Sequence, residues 1–171
     1  MSLPTLKIGG FEIPREVYPA SQTFSNLGGE SLKRMLNGAA KKQSHWRKLG
    51  TTIRGEGWAP AALAGIDWTQ PVEIMSMAPR AIASATTSAT LPAARRSDFT
   101  DNVFARAIVS GQLVETPVSL AGNVATATAV AGASGYQFHF YPKFSVYSAG
   151  PSESVDFGNG QYGWELTAEE V

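Results

Sequence analysis

The sequence predicts an all-β or β-dominated fold, an antiparallel sandwich or barrel, and three observations predict it. Apolar and polar residues alternate over short stretches, most strictly where Tyr136, Phe138 and Phe140 interleave with Gln137 and His139. Hairpin dipeptides such as Gly9-Gly10 and Asn37-Gly38 punctuate these stretches. Only the window Ser97 to Gly111 offers good helical spacing.

Taken in order, Leu6-Lys7-Ile8 and Phe11-Glu12-Ile13 flank Gly9-Gly10 and read as a hairpin. Pro14 and Pro19 then bracket an extended link, so residues 1–20 form a hairpin or arm. Ser21 to Leu27 meets Gly28-Gly29, read as a plain turn, and Ser31 to Leu36 closes on Asn37-Gly38. From Gln43 to Trp58 a long strand places Leu49, Thr51, Ile53 and Gly55 on one face, with glycines marking a bulge or a close backbone approach. Ala59 to Trp68 is a compact segment with room for one helical turn, and Pro71 opens the strand Val72 to Met77.

Residues 78–96, rich in Ala, Ser and Thr, fit either a flat edge strand or a flexible loop. A short helix is expected at about 97–110, with Phe99, Val103, Phe104, Ala107 and Ile108 near one face, Ser97 as cap and Gly111 as stop. The last third returns to strands: Leu113 to Ser119, Val124 to Val130, Tyr136 to Phe140, Phe144 to Ser148 and Tyr162 to Leu166. Nothing repeats internally, and 171 residues fit a single β-rich domain spanning 1–171.

Charged residues are scarce at 16%, and Ala, Ser, Thr and 17 Gly take their place. Charge is depleted at interface centres, so such a surface suits protein contact, although an ordinary β-protein with small loop residues has the same composition. The net charge is zero, which argues against a general nucleic-acid binder, but its distribution is uneven. Lys33, Arg34, Lys41, Lys42, Arg47, Lys48 and Arg54 lie between Ser31 and Gly55 with no acid among them. Beyond Arg106 the one base is Lys143, against six acids that include Glu153, Asp156, Glu169 and Glu170. Such ends suit head-to-tail association or pairing inside one fold.

Absence of cysteine excludes disulfides and thiol chemistry. The N-terminus has no signal-peptide pattern, and no apolar run reaches the roughly 20 residues a membrane helix needs, so a cytoplasmic product without membrane insertion is expected. His45 and His139 lack neighbours spaced to complete a metal site, and His139 falls on the exposed side of its strand. No Gly-x-Ser-x-Gly elbow occurs, Glu169-Glu170 reads as a solvated terminus, and Gly28 to Arg34 lacks the Gly-Lys-[Ser/Thr] ending of a phosphate loop. The expectation is therefore no enzyme, no cofactor and no nucleic-acid partner. The basic run around Trp46 is left as a solvated strand face or a subunit contact. Trp58 is expected in the core, and Trp68 in core or contact.

With those residues in view, the chain resembles a small structural tail-tip or baseplate (distal tail-like) protein of a long-tailed bacteriophage. The likeness rests on Met35 to Gly38, His45 to Leu49, Gly55 to Trp58 with Pro60, and Ile66 to Trp68. It continues at Gly135 to Pro142, Trp164 to Leu166 and Ala168 to Val171. The resemblance implies a virion subunit, made in the bacterial cytoplasm, that forms a ring of three or six copies. Such a ring joins the tail tube to neighbouring tail proteins. It implies no catalytic residues and points to contact roles for Trp46, Arg47, Lys48, Arg54, Trp68, Trp164, Glu169 and Glu170. A tail terminator or head-completion protein, or a carbohydrate-binding β-sandwich using its tryptophans, are the alternatives.

Overall fold

The computed structural model describes residues 4–17 and 19–171, so residues 1–3 and Tyr18 of the expected N-terminal arm lie outside it. Among the described residues the regular elements are β-strands, joined by turns and loops, with a single 3-10 turn at Arg15–Val17. The strands are β1 (Lys7–Ile8), β2 (Phe11–Glu12), β3 (Pro19–Arg34), β4 (Ala40–Gly57) and β5 (Val72–Met75). The middle of the chain adds β6 (Arg80–Ser84), β7 (Ser88–Thr90), β8 (Val103–Val109), β9 (Gln112–Thr116) and β10 (Val118–Ala121). The last are β11 (Val124–Ala127), β12 (Ala133–Phe140), β13 (Lys143–Tyr147), β14 (Ser152–Asp156) and β15 (Gln161–Glu170). The chain divides into two compact units, one of residues 1–8 and 74–144, the other of residues 9–73 and 145–171.

The first unit is a sandwich. A sheet ordered β6-β12-β8-β9 and a sheet ordered β10-β11-β7 enclose one core of Phe138, Phe140, Tyr136, Leu91 and four alanines. The registers put Ala105 beside Phe138 and Ala107 beside Tyr136, so small residues make room for large rings. Ala105, Ala107 and Ala125 are fully buried. Part of the alanine enrichment is thus interior packing. Residues 78–96 supply β6 and β7, both at sheet edges, which agrees with the edge-strand expectation.

The expected helix at 97–110 does not form. Val103–Val109 is β8, paired on both sides, and Ser110 and Gly111 (φ 49° and 80°) make the tight turn into β9. Two positive φ values in succession are what a two-residue hairpin turn requires. The β-branched Val103, Ile108 and Val109 favour the pleated surface, and Gly111 closes a hairpin instead of a helix.

The second unit is built on the strand series β14-β15-β4-β3, all antiparallel, with the end of β13 pairing β15 at Val146↔Glu170 and Tyr147↔Glu169. Its inner face carries Thr51, Ile53 and Gly55 of β4 beside Ala168, Leu166 and Trp164 of β15, all buried. The segment 59–68 forms turns, not a helical turn, and buries Ala61 and Leu63. Gly55 is forced by packing, since a Cβ there would lie 2.3 Å from the Trp164 indole nitrogen. That nitrogen donates to the Val17 carbonyl at 3.2 Å.

Candidate assembly interface

Nothing in the pairing of β3 with β4 stops at the edge of the second unit. Among the described residues, β15 accompanies β4 only from Gly50 to Gly57, whereas β3 and β4 pair from Pro19↔Gly55 out to Arg34↔Ala40. The outer part is therefore a two-stranded arm, and every residue from Leu32 to Lys48 is exposed. Leu36-Asn37-Gly38 closes it. Gly38 N–H donates to the Met35 carbonyl at 2.8 Å, Met35 N–H to that of Ala39 at 2.9 Å, and Gly38 has φ 80°. This is a type I turn followed by a left-handed residue, the usual three-residue hairpin loop.

Gly28-Gly29, expected as a turn, is instead a bulge within β3, where the register shifts between Gly28 and Glu30. Its physical reason is Trp46, because a Cβ on Gly29 would sit 2.4 Å from the indole nitrogen. The ring lies along the ribbon and remains 54% exposed. Leu32, Met35 and Leu36 are exposed as well, Leu36 completely.

The arm's charge is lopsided. It carries Lys33, Arg34, Lys41, Lys42, Arg47 and Lys48 against the single acid Glu30. Lys42 pairs with Glu30 at 2.6 Å, and that hydrogen bond holds the Glu30 carboxyl below its ordinary range. Lys33 and Lys41 stand directly opposite each other, a repulsive cross-strand placement. Among the described residues no carboxylate pairs with Lys33, Arg34 or Lys41. The residues around the tip, Lys33, Arg34, Met35, Leu36, Lys41 and Gln43, border a hollow of about 470 Å³.

The remaining expected contact residues fall in different places. Trp46 and Arg47 are on the arm. Lys48, at its root, donates to the Val171 carbonyl, and Leu49 N–H donates to Glu170 Oε2 at 2.8 Å. The C-terminal segment therefore meets the root of the basic run inside the subunit, through the Val171 carbonyl and the Glu170 carboxylate. Glu170 is half-buried there, so the pair is not a freely solvated terminus, while Glu169 faces outward. Arg54 is exposed and forms a two-bond pair with Glu165, 2.9 Å and 3.2 Å. Trp68 is half-buried against Gly150, and Trp164 is buried at 4% exposure, a core residue of its unit. Trp58, expected in the core, is 72% exposed just beyond the last paired glycine of β4.

Sequence reasoning missed the exposed Met35-Leu36 tip and the exposed Val155 and Phe157, the latter at 90%. The signal for the tip was an apolar pair directly before Asn37-Gly38, where hairpins ordinarily place polar residues. His139, expected to be exposed, lies half-buried on β12 and stacks on Phe104 at 4.4 Å, with ring planes 3° apart. Burial, then nearby Arg106, pushes its pKa down and favours the neutral ring. Among the described residues no group of three or more His, Cys, Asp or Glu is arranged to hold a metal. Among the described residues no helix is long and apolar enough to cross a membrane. No protein-family model matches the chain, and no curated protein matches it.

Proposed function

We propose that this chain is a structural subunit of the tail tip or baseplate of a long-tailed bacteriophage. Copies of it assemble into a ring that joins the tail tube to more distal tail proteins. The observation that carries the reading is the arm. Burial stabilises a strand, and isolated two-stranded ribbons are marginal in water. A subunit that extends a long ribbon, with Trp46 and an apolar tip left uncovered, holds surface whose use lies in another protein. Trp and Arg side by side, as at Trp46-Arg47, are the residue types that dominate contact energies. The family likeness of the sequence supports the same reading.

Purified protein should appear as rings in negative-stain micrographs and sediment as a closed oligomer. Trp46→Ala and Arg47→Ala should each yield folded monomers. An unchanged oligomer in both variants would overturn the assignment of the arm. The exposure of Trp58 favours one second reading, a carbohydrate platform, which predicts glycan binding by a monomer.

A further inference from the structure

We infer that the arm tip of one copy docks on β14 of a second copy, a head-to-tail contact with distinct donor and acceptor surfaces. The inference rests on the ring reading and deepens it by naming the two surfaces. The donor is the tip, where Lys33, Arg34 and Lys41 surround the exposed Met35 and Leu36. The acceptor is the edge of the second unit. All five residues of β14 are exposed, and Glu153 and Asp156 bracket Val155, with Phe157 next in the chain. Basic charge around an apolar pair thus meets acidic charge around an apolar pair.

Three observations identify the occupant as another copy of this chain. First, the arm carries a formal excess of five positive charges. The whole chain is neutral, so the remainder carries five negative ones. The negative body of a second copy therefore attracts the positive arm.

Second, the arm cannot satisfy its own acceptor. β14 pairs with the Gln161–Glu165 end of β15, which in turn lies beside β4 at Arg54 to Gly57. The tip lies at the other end of β4, beyond Ala40, roughly 50 Å away at about 3.3 Å per residue. The complementarity is therefore met only between molecules. Third, among the described residues β14 pairs with β15 alone, so its outer edge offers main-chain groups for an incoming ribbon. A contact between two different surfaces closes into a ring when its rotation permits and otherwise grows as a filament.

The test is charge reversal with rescue, read by sedimentation of the full chain with circular dichroism as the folding control. Glu153→Lys with Asp156→Lys should weaken association about tenfold or more, as should Lys33→Glu with Lys41→Glu, and combining all four should restore it. Met35→Ser with Leu36→Ser, which removes only exposed apolar groups, should also shift the equilibrium to monomer.

If wild-type protein assembles and the β14 reversal changes nothing, the docking proposal falls while the ring reading stands. If the wild type stays monomeric at every concentration, the ring reading falls and takes the proposal with it. Tight binding of a fluorescein-labelled DNA duplex, lost with Lys33→Glu and Lys41→Glu, would overturn the second-copy assignment.

Discussion

Arg96 shows most directly how a single side chain organises its surroundings. It is 2% exposed in the first unit, and Asp98 accepts from it twice, at 2.9 Å each. The same guanidinium donates to the carbonyls of Thr5 at 2.6 Å and Ser76 at 2.9 Å, tying three stretches together. Arg96, with help from Lys7, holds the Asp98 carboxyl well below the usual carboxylate range. A folded-state pKa below the unfolded one contributes stability above the ordinary range that is lost as pH falls through it. The melting temperature should thus fall more steeply from about pH 5 to about pH 2 in the wild type than in Asp98→Asn. At neutral pH that variant should lose about 2 kcal/mol in denaturant titrations, discounted for the partial exposure of Asp98. Gly55→Ala should cost about 1–3 kcal/mol, since the new methyl meets the Trp164 ring. Sequence reading placed a close approach near Gly55, but it could not distinguish Trp58 from Trp164. In the sequence both read as strand tryptophans, and only the register, which sets Trp164 beside Gly55 and ends β4 at Gly57, decides which one is buried.

At the scale of elements, alternation and turn chemistry carried most of the fold. β12 and the Gly9-Gly10 and Asn37-Gly38 turns lie where period two and positive φ place them. What failed were local signals with two meanings. Gly28-Gly29 serves a bulge as readily as a turn, and Phe99 to Gly111 satisfies a helical face only because β-branched residues can be counted either way. The arm was legible as pieces but not as one ribbon, because its length is set by pairing across 16 residues of β3 and 18 of β4. Shortening should test its independence from the core. Deleting residues 30–44 and closing with Asn-Gly should leave the unfolding free energy within about 0.5 kcal/mol of wild type in denaturant titrations, because exposed residues add little stability. A larger loss would mean the arm supports its own unit.

For the whole molecule, the decisive property is that neutrality hides two opposite fields, a positive arm and a negative remainder. Assembly driven by those fields should weaken with salt. Raising sodium chloride from about 0.05 M to about 0.5 M shortens the screening length several-fold and should shift sedimentation toward monomer, while the apolar tip preserves some association. The uneven charge was visible in the sequence, but the separation that keeps it from cancelling within the subunit was not. The arm also places six Lys and Arg residues on an exposed ribbon, three of them close to its turn. Trypsin cleaves after those residues, so the free subunit should be nicked first near Arg34 and Lys41. A seated ribbon would be shielded, which makes a timed digest a direct gauge of how much protein has been incorporated.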